Sequence, residues 1–305
     1  MKTVLFVMLG VLTLIYLTGW VLAARRAKGG PAAPPSGPLT SSLFGGLGFV
    51  INFFDTLGIG SFATTTAVFR LKRLVPDQLL PGTLYAGHTL PTVTQAFIYI
   101  SIVAVDARTL VLMIASAVLG SWVGAARVTN WPRRTIQLAM GSALLVAAGL
   151  MLVAQLNLFP VGGSAQGVDG VKLAIAIVGN FVLGALMTVG VGLYAPCMIL
   201  VSLLGMDPRA AFPIMMGSCA FLMPVGSLQF IQRERYDLKA ASGLALGGIP
   251  AVLLAAFVVK SLPLWTVRWL VVVVVVGTAT AMLRAGIKGT HPAVDEPTPL
   301  PLNAL

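Results

Sequence analysis

Two stretches of sequence share a pattern that predicts the architecture. They are FVINFFDTLGIGSFATTT at positions 49–66 and FVLGALMTVGVGLYAPCM at positions 181–198. Each has a Gly-x-Gly in the middle of a long apolar segment, at 58–60 in the first stretch and at 190–192 in the second. At membrane depth, a helix is interrupted only where neighbouring protein or a water-filled cavity satisfies the freed backbone groups. We therefore expect two broken helices that are enclosed by other helices.

The composition indicates that most of the chain lies in lipid. Charged residues make up 10% of the 305 residues, hydrophobic residues make up 57%, and the mean hydropathy is +0.95. A soluble domain carries about 25% charged residues, because its surface must be hydrated. The net charge of +11 comes from short basic clusters between apolar runs, which is typical of topology signals and of contact with anionic lipid, not of nucleic-acid binding.

The sequence repeats itself around the two stretches with an offset of 132 positions. Nine identical residues align in the 33-residue window that starts at Phe49, among them the glycines of both breaks and two prolines. At an offset of 131, the run 105–108 (VDAR) aligns with the run 236–239 (YDLK), just before a later apolar segment. We expect one leading helix followed by two equivalent halves.

Seven further apolar segments are long enough to cross about 30 Å of hydrocarbon, which takes roughly 20 residues. They lie at 3–24, 79–104, 109–126, 135–158, 210–231, 240–259 and 264–283, and the broken segments lie at 41–69 and 171–204. The expected fold is therefore all-α and polytopic. Asp106 and Asp237 precede two of these segments and are expected to cap their helices.

The distribution of Lys and Arg favours re-entrant hairpins over full crossings for the two broken segments. If every segment crosses, the 20 basic residues divide equally between the two sides. If the broken segments return on the side they entered and the N-terminus is outside, 14 lie inside and 6 outside, as the positive-inside rule requires. Each hairpin then has arms of about 10 residues that reach the midplane. With three crossings per half, the second repeat is inverted relative to the first.

The expected organisation has four parts. A transmembrane helix and a cytoplasmic linker occupy 1–40, the repeats occupy 41–158 and 171–284, and a cytoplasmic tail occupies 285–305. The first helix resembles a signal peptide in length. Its basic cluster, Arg25, Arg26 and Lys28, follows the apolar run, however, which is the opposite of the order in a cleaved signal. A retained helix with its N-terminus outside is the preferred interpretation.

Matched breaks in inverted repeats predict a substrate site between them, near the midplane. The N-terminus of a half-helix has unpaired N–H groups and a partial positive charge, so it suits an anion without a buried Lys or Arg. Hydroxyl groups in membrane helices also bond their own helix carbonyls, so packing is the alternative for any single one of them. The candidate substrate-binding residues are Asn52, Thr56, Gly58, Gly60, Ser61, Thr64, Thr65, Gly190, Gly192, Tyr194 and Ser218.

Asp55 and His88 are the ionisable side chains, Tyr and Cys apart, that fall well inside a predicted segment. Burying such groups in a membrane is costly, so each is a functional candidate. We expect proton coupling through Asp55, His88 or both. The alternative is a mutual hydrogen bond that fastens the hairpin to the next span.

The chain resembles a known family of permeases in three motifs. They are Leu57-Gly58-Ile59-Gly60, Val189-Gly190-Val191-Gly192, and the run 233–241 (RERYDLKAA) before a helix of small residues. In these motifs the chain resembles the TauE/SafE sulfite-exporter-like permeases, also called the toluene-sulfonate uptake permease family, over about 41–283. The resemblance implies transport of sulfite, sulfonates or related organic sulfur anions across a bacterial-type inner membrane, without covalent chemistry.

The sequence predicts a secondary transporter of a small anion, multi-pass, with the N-terminus outside and the C-terminus in the cytoplasm. An anion channel through the same breaks and a transporter of a non-sulfur carboxylate stay open as alternatives. One His and two distant Cys provide neither a nucleophile–base pair nor a metal site, so no enzyme, cofactor or metal is expected. The expected partners are the substrate anion, the lipid bilayer and a coupling proton, without nucleic acid. The oligomeric state stays open, a homodimer included.

Overall fold

The computed structural model describes residues 2–27, 38–57, 59–158, 160–257 and 265–288. These residues form eleven α-helices and no β-strand, which confirms the all-α prediction for the described part of the chain. The helices are α1 Lys2–Ala27, α2 Pro38–Thr56, α3 Ser61–Leu71, α4 Leu80–Ile102, α5 Ala107–Val128, α6 Arg133–Gln155, α7 Gly170–Met187, α8 Tyr194–Leu203, α9 Ala211–Gln232, α10 Leu238–Phe257 and α11 Trp265–Lys288. A 3-10 turn, Pro208–Ala210, leads into α9.

Six helices in the described part of the chain are long and apolar enough to cross a membrane. Five of them, α1, α5, α6, α9 and α10, match predicted spans, and the sixth is α7, the first arm of the second broken segment. Large apolar side chains face outward, as on α1, where Val4, Val7 and Leu14 are each at least 60% exposed. Such a surface is stable in lipid and not in water. The chain is a multi-pass membrane protein.

Asp106 and Asp237 cap the helices that follow them, as the sequence predicts. Asp106 caps α5, and its carboxylate accepts a hydrogen bond from the Thr109 N–H at 2.8 Å. Asp237 does the same for α10, where it accepts from the Ala240 N–H at 2.8 Å. In each case the side chain satisfies an N–H group that the first turn of a helix leaves unpaired.

Both predicted breaks are present. The first separates α2 from α3 and the second separates α7 from α8. Gly60 and Gly190 have backbone φ angles of 89° and 96°, in the region that favours glycine, so these two positions explain why the breaks are glycine-rich. Of the other two glycines of the pattern, Gly192 does not have a positive φ, and Gly58 lies outside the described residues.

After each break the chain runs back beside the helix it has just left. The rings of Phe44, early in α2, and Phe69, late in α3, have centroids 5.7 Å apart. In the second segment, the Lys172 ammonium near the start of α7 donates to the carbonyl of Leu204, just after α8, at 3.1 Å. The loop before α7 also pairs with the loop after α8, where the Gly163 N–H donates to the Met206 carbonyl at 2.9 Å. Each broken segment is therefore a hairpin of two helices.

The arms of the hairpins are unequal, unlike the arms of about 10 residues expected from the sequence. α2 and α7 have 19 and 18 residues, whereas α3 and α8 have 11 and 10. The long arms pack along most of a neighbour at very close range. A Cβ added at Gly247 of α10 would lie 1.9 Å from the Gly45 carbonyl oxygen of α2, and one at Gly120 of α5 would lie 2.0 Å from the Phe181 carbonyl oxygen of α7.

Helices that correspond in the two halves pack on corresponding helices of the opposite half. α2 packs on α10 as α7 packs on α5, α4 packs on α10 as α9 packs on α5, and α3 packs on α11 as α8 packs on α6. The remaining large contacts join α4 to α9 and α6 to α11.

These last two pairs are antiparallel. Gly226 of α9 lies against Tyr85 of α4, and Gly217 of α9 lies against Ile100. In the other pair, Gly141 of α6 contacts Leu283 of α11, and Gly286 contacts Leu138. The α4–α9 pair lies at the centre of the core and carries fully buried aromatic rings such as Tyr85 and Phe230.

Candidate functional site

A cavity lies between the two breaks and is bounded by both hairpins and by the central helices α4 and α9. Together with the open space at its mouth, it has a volume of about 410 Å³. Its walls come from the ends of α2 and α7, the starts of α3 and α8, and one face each of α4 and α9. The lining residues are Asp55, Gly60, Ser61, Phe62, Thr92, Gln95, Met187, Gly192, Leu193, Tyr194, Met215, Met216 and Cys219.

Asp55 lies at the end of α2, where its carboxylate meets polar groups of α3 and α4. Gln95 of α4 donates from Nε2 to the Asp55 carboxylate at 3.0 Å. The hydroxyl and the backbone N–H of Ser61, the first residue of α3, face the same carboxylate. A carboxylate at this position interacts favourably with the positive end of α3.

The end of α2 is fixed further by the residue next to Asp55. Gln95 donates a second hydrogen bond to the Thr56 hydroxyl at 3.0 Å, and the Tyr99 hydroxyl donates to the Thr56 carbonyl at 3.0 Å. α4 therefore determines where the first break lies, and it holds the Asp55 carboxylate against the cavity.

His88 is fully buried behind the lining, and both of its ring nitrogens have partners. Asn52 donates from Nδ2 to the Gly48 carbonyl at 2.8 Å, so its Oδ1 is the atom that faces His88 Nδ1, 3.0 Å away. His88 Nδ1 therefore donates to Asn52, and His88 Nε2 accepts from the Thr65 hydroxyl at 2.9 Å. This is a neutral imidazole that joins α2, α3 and α4.

Asp55 and His88 thus have different partners, and the mutual hydrogen bond considered from the sequence is not the arrangement found. The fastening that it would have provided is instead supplied separately, by Gln95 for Asp55 and by Asn52 and Thr65 for His88.

The predicted site residues divide into two groups. Five of them line the cavity, namely Asp55, Gly60, Ser61, Gly192 and Tyr194. Seven lie outside the lining, namely Asn52, Thr56, Thr64, Thr65, His88, Gly190 and Ser218, and Gly58 is not among the described residues.

Hydrogen bonds explain where several of the second group lie. The Thr56 hydroxyl bonds the Asn52 carbonyl and the Thr64 hydroxyl bonds the Gly60 carbonyl, each at 2.8 Å and four residues back along the chain. Ser218 accepts a hydrogen bond from Asn180 Nδ2 at 2.9 Å. For these residues the packing alternative describes the contacts found.

Eight lining residues are absent from the predicted set, namely Phe62, Thr92, Gln95, Met187, Leu193, Met215, Met216 and Cys219. Some of them carry a signal in the sequence. Met187 and Leu193 occupy the positions that align with Asp55 and Ser61 at the offset of 132. Met215 and Cys219 are four residues apart, so they share one face of α9. Methionine and leucine are ordinary packing residues in membrane helices, so the sequence alone does not indicate that these positions line a cavity.

The cavity has one polar wall and one apolar wall that is rich in sulfur. The first half contributes Asp55, Ser61 and Gln95, whereas the second half contributes three methionines and Cys219. Cys219 Sγ and Met187 Sδ are 3.8 Å apart. No Lys or Arg is among the lining residues that the structure describes, so Asp55 is the one acidic or basic group on these walls.

A second cluster of charged residues lies away from the cavity. Asp77, which is 3% exposed, forms an ion pair with Arg70 at the end of α3 and lies 3.7 Å from Arg133 at the start of α6. Gln137 Nε2 also donates to the Asp77 carboxylate, at 2.7 Å. These contacts tie the first hairpin to α6. In the described part of the chain, no group of three His, Cys, Asp or Glu side chains is placed to hold a metal ion.

The fold defines a multi-pass helical membrane protein with a cavity between two helix breaks. No protein-family model, no curated protein and no solved structure is significantly similar to the chain.

Proposed function

We propose that the chain is a secondary transporter of a small anion, which binds in the cavity between the two breaks. The observation that carries the proposal is the cavity itself, whose lining comes from matched positions of both halves, such as Gly60 and Gly192. Sites at the interface of two repeats, beside broken helices, are typical of secondary transporters.

The arrangement of the helices supports inverted repeats with re-entrant hairpins. In that architecture α4 corresponds to α9 and α6 corresponds to α11, and helices related by inversion run in opposite directions. Both pairs are antiparallel, and the remaining contacts exchange between the halves as the correspondence requires. Such a pair of repeats alternates access by rocking one bundle against the other around a fixed site.

The helix end that faces the cavity favours a negatively charged substrate. The start of α8, from Gly192 to Tyr194, faces the cavity, and the positive end of a helix attracts an anion. The resemblance to the TauE/SafE-like permeases favours sulfite, a sulfonate or a related organic sulfur anion. The proposed coupling ion is a proton, because Asp55 and His88 are ionisable groups buried at membrane depth.

The proposed orientation places the N-terminus outside and the C-terminus in the cytoplasm of a bacterial-type inner membrane. It rests on the bias of 14 basic residues against 6 and on the two hairpins, each of which brings the chain back to the side it left. No covalent step is assigned to the chain.

Replacing Gly192 by Leu tests the site. A Cβ at Gly192 meets no atom within 4 Å, and φ at this position is not in the glycine-only region, so the leucine side chain enters open space in the cavity. The matched control is Gly149→Leu on α6, which also meets no atom within 4 Å but is exposed on the outer surface.

Binding is measured by thermal shift of the purified protein with sulfite, methanesulfonate, benzenesulfonate, taurine and acetate. A ligand of the folded state raises apparent stability. We expect the native protein and Gly149→Leu to be stabilised by the same anions and Gly192→Leu to be stabilised by none. Equal stabilisation of both variants would show that the anion binds elsewhere.

A further inference from the structure

We propose that Asp55 is a built-in competitor of the substrate, so that the cavity takes up an anion only together with a proton on the Asp55 carboxylate. This inference rests on the proposed function, since it assigns the coupling proton to one residue of the anion site. It also assigns His88 a positioning role only.

The Asp55 carboxylate occupies the first break, at the start of α3. It faces the hydroxyl and the backbone N–H of Ser61, at the positive end of α3. An anion drawn to this helix end would need the same donors. The first break is therefore already filled by an anionic group of the protein itself.

The second break has no acidic or hydroxyl side chain at the matching positions. The residues that align with Asp55 and Ser61 are Met187 and Leu193, whose side chains carry neither a charge nor a hydroxyl group. Both also line the cavity. The two breaks thus differ in one respect that matters for charge, because an internal carboxylate faces the cavity from the first half only.

The groups that face Asp55 or share its cavity come from four other helices. From α3 it faces Ser61, and from α4 it accepts a hydrogen bond from Gln95. The Tyr99 hydroxyl of α4 bonds the carbonyl of the neighbouring Thr56. From α8 and α9, Tyr194 and Cys219 line the same cavity.

α10 packs along α2 but brings no compensating charge to Asp55. Its one charged residue is Lys239, in its first turn. Asn52 contacts Gly248 of α10, so Asp55, one turn further along α2, lies towards the opposite end of α10. No cation among the described residues on these elements offsets the Asp55 carboxylate, and a substrate anion in the same cavity would be repelled by it.

A proton on Asp55 removes this repulsion and creates a donor. The carboxyl O–H can then point at the substrate, while the other oxygen keeps the hydrogen bond from Gln95. One monovalent anion and one proton together carry no net charge, so their joint movement is not opposed by the membrane potential.

His88 is not suited to this task. It lies behind the lining, and its Nδ1 and Nε2 are both engaged in holding α2, α3 and α4 together. A change of its charge would disturb the hairpin before it affected the anion.

The test uses full-length protein in nanodiscs, with methanesulfonate and benzenesulfonate as probes because a sulfonate stays ionised across the pH range. Affinity is measured by isothermal titration calorimetry from about pH 5 to about pH 8. Above the pKa of Asp55, we expect native affinity to fall about tenfold for each pH unit, as binding linked to one proton requires. In weakly buffered solution at the upper end of this range, native protein should take up about one proton for each anion bound.

Asp55→Asn resembles the protonated carboxyl and keeps an oxygen for Gln95. We expect it to bind the probes at every pH with the affinity that native protein has at acidic pH. His88→Gln should keep the native pH dependence. The matched control for the loss of a carboxylate is Asp169→Asn, which alters an exposed side chain outside the cavity and should also keep it.

Three results would overturn the inference. Native affinity that does not change with pH, without proton uptake, would leave the anion site in place and remove the competition. Loss of binding in Asp55→Asn at every pH, with Asp169→Asn unaffected, would show that the anion needs the Asp55 carboxyl itself and that Asp55 does not compete with it. Failure of native protein to bind any probe of the thermal-shift panel at any pH would overturn the proposed function, and this inference with it.

Discussion

The neighbouring threonines of α3 give a matched pair of perturbations, because the structure assigns them different partners. The Thr65 hydroxyl is buried and donates to His88 Nε2 at 2.9 Å. The Thr64 hydroxyl instead bonds helix carbonyls close along the chain, those of Gly60 at 2.8 Å and Ser61 at 2.9 Å. Thr→Val keeps the shape and the β-branching of either residue and removes only the hydroxyl.

Thr65→Val leaves a buried ring nitrogen of His88 without its donor, which costs about 1–3 kcal/mol. Thr64→Val removes a hydroxyl from carbonyls that also belong to the helix, and such changes stay within about 0.5 kcal/mol. Denaturant unfolding of each variant in detergent micelles measures the difference. Neither side chain lines the cavity, so anion affinity should stay within about twofold of native for both.

The reasoning would be refuted by the opposite pattern. If Thr65→Val is as stable as Thr64→Val and binds the anion more weakly than native protein does, Thr65 faces the ligand and the His88 network described above is wrong.

Three further predictions concern packing, capping and topology. Gly247→Ala should destabilise the protein by about 1–3 kcal/mol or more, because its Cβ would overlap the Gly45 carbonyl oxygen, whereas Gly277→Ala, with no atom within 4 Å, should be neutral in the same unfolding assay. Hydrogen bonds from the Thr109 N–H and hydroxyl lower the pKa of Asp106. The cap therefore stabilises the fold above the usual Asp range, and this stabilisation is lost as pH falls through the lowered pKa. Asp106→Ala should cost about 1 kcal/mol at neutral pH and less in acid. The topology test uses single cysteines at exposed positions in a background with Cys197 and Cys219 replaced by Ala. Cysteines at Arg26 and Lys72 should be labelled from one face of the membrane, and those at Val161 and Arg209 from the other. Labelling of Arg26 and Lys72 from opposite faces would contradict the first hairpin.

The sequence was sufficient to predict the features that depend on local backbone chemistry. Gly60 and Gly190 mark the two breaks because few other residues adopt their φ angles, and Asp106 and Asp237 mark helix starts because a carboxylate satisfies the first N–H groups. The internal repeat then predicted which segments would be broken. It could not give the lengths of the arms, which follow from how far α2 and α7 pack along α10 and α5.

The composition of the cavity was harder to predict, because it depends on which faces of several helices meet. His88 looked functional from its position in an apolar segment, yet its ring is engaged by Asn52 and Thr65 behind the lining. Met187 is not in the predicted set, yet it lies on the wall beside Cys219. A hydroxyl or a methionine has the same appearance in a sequence whether it faces a ligand or a neighbouring helix.

Counterflow in proteoliposomes tests whether the cavity carries an anion by alternating access. Vesicles are loaded with an excess of the unlabelled anion that gives the largest thermal shift, and uptake of the same labelled anion is followed at fixed membrane potential and pH. The proposed function predicts a transient accumulation of label above equilibrium, saturable in concentration, present in Gly149→Leu and absent in Gly192→Leu. Equilibration without accumulation, at a rate that rises linearly with concentration, would contradict a transporter and establish a channel, and absence of flux for every anion of the panel would contradict both.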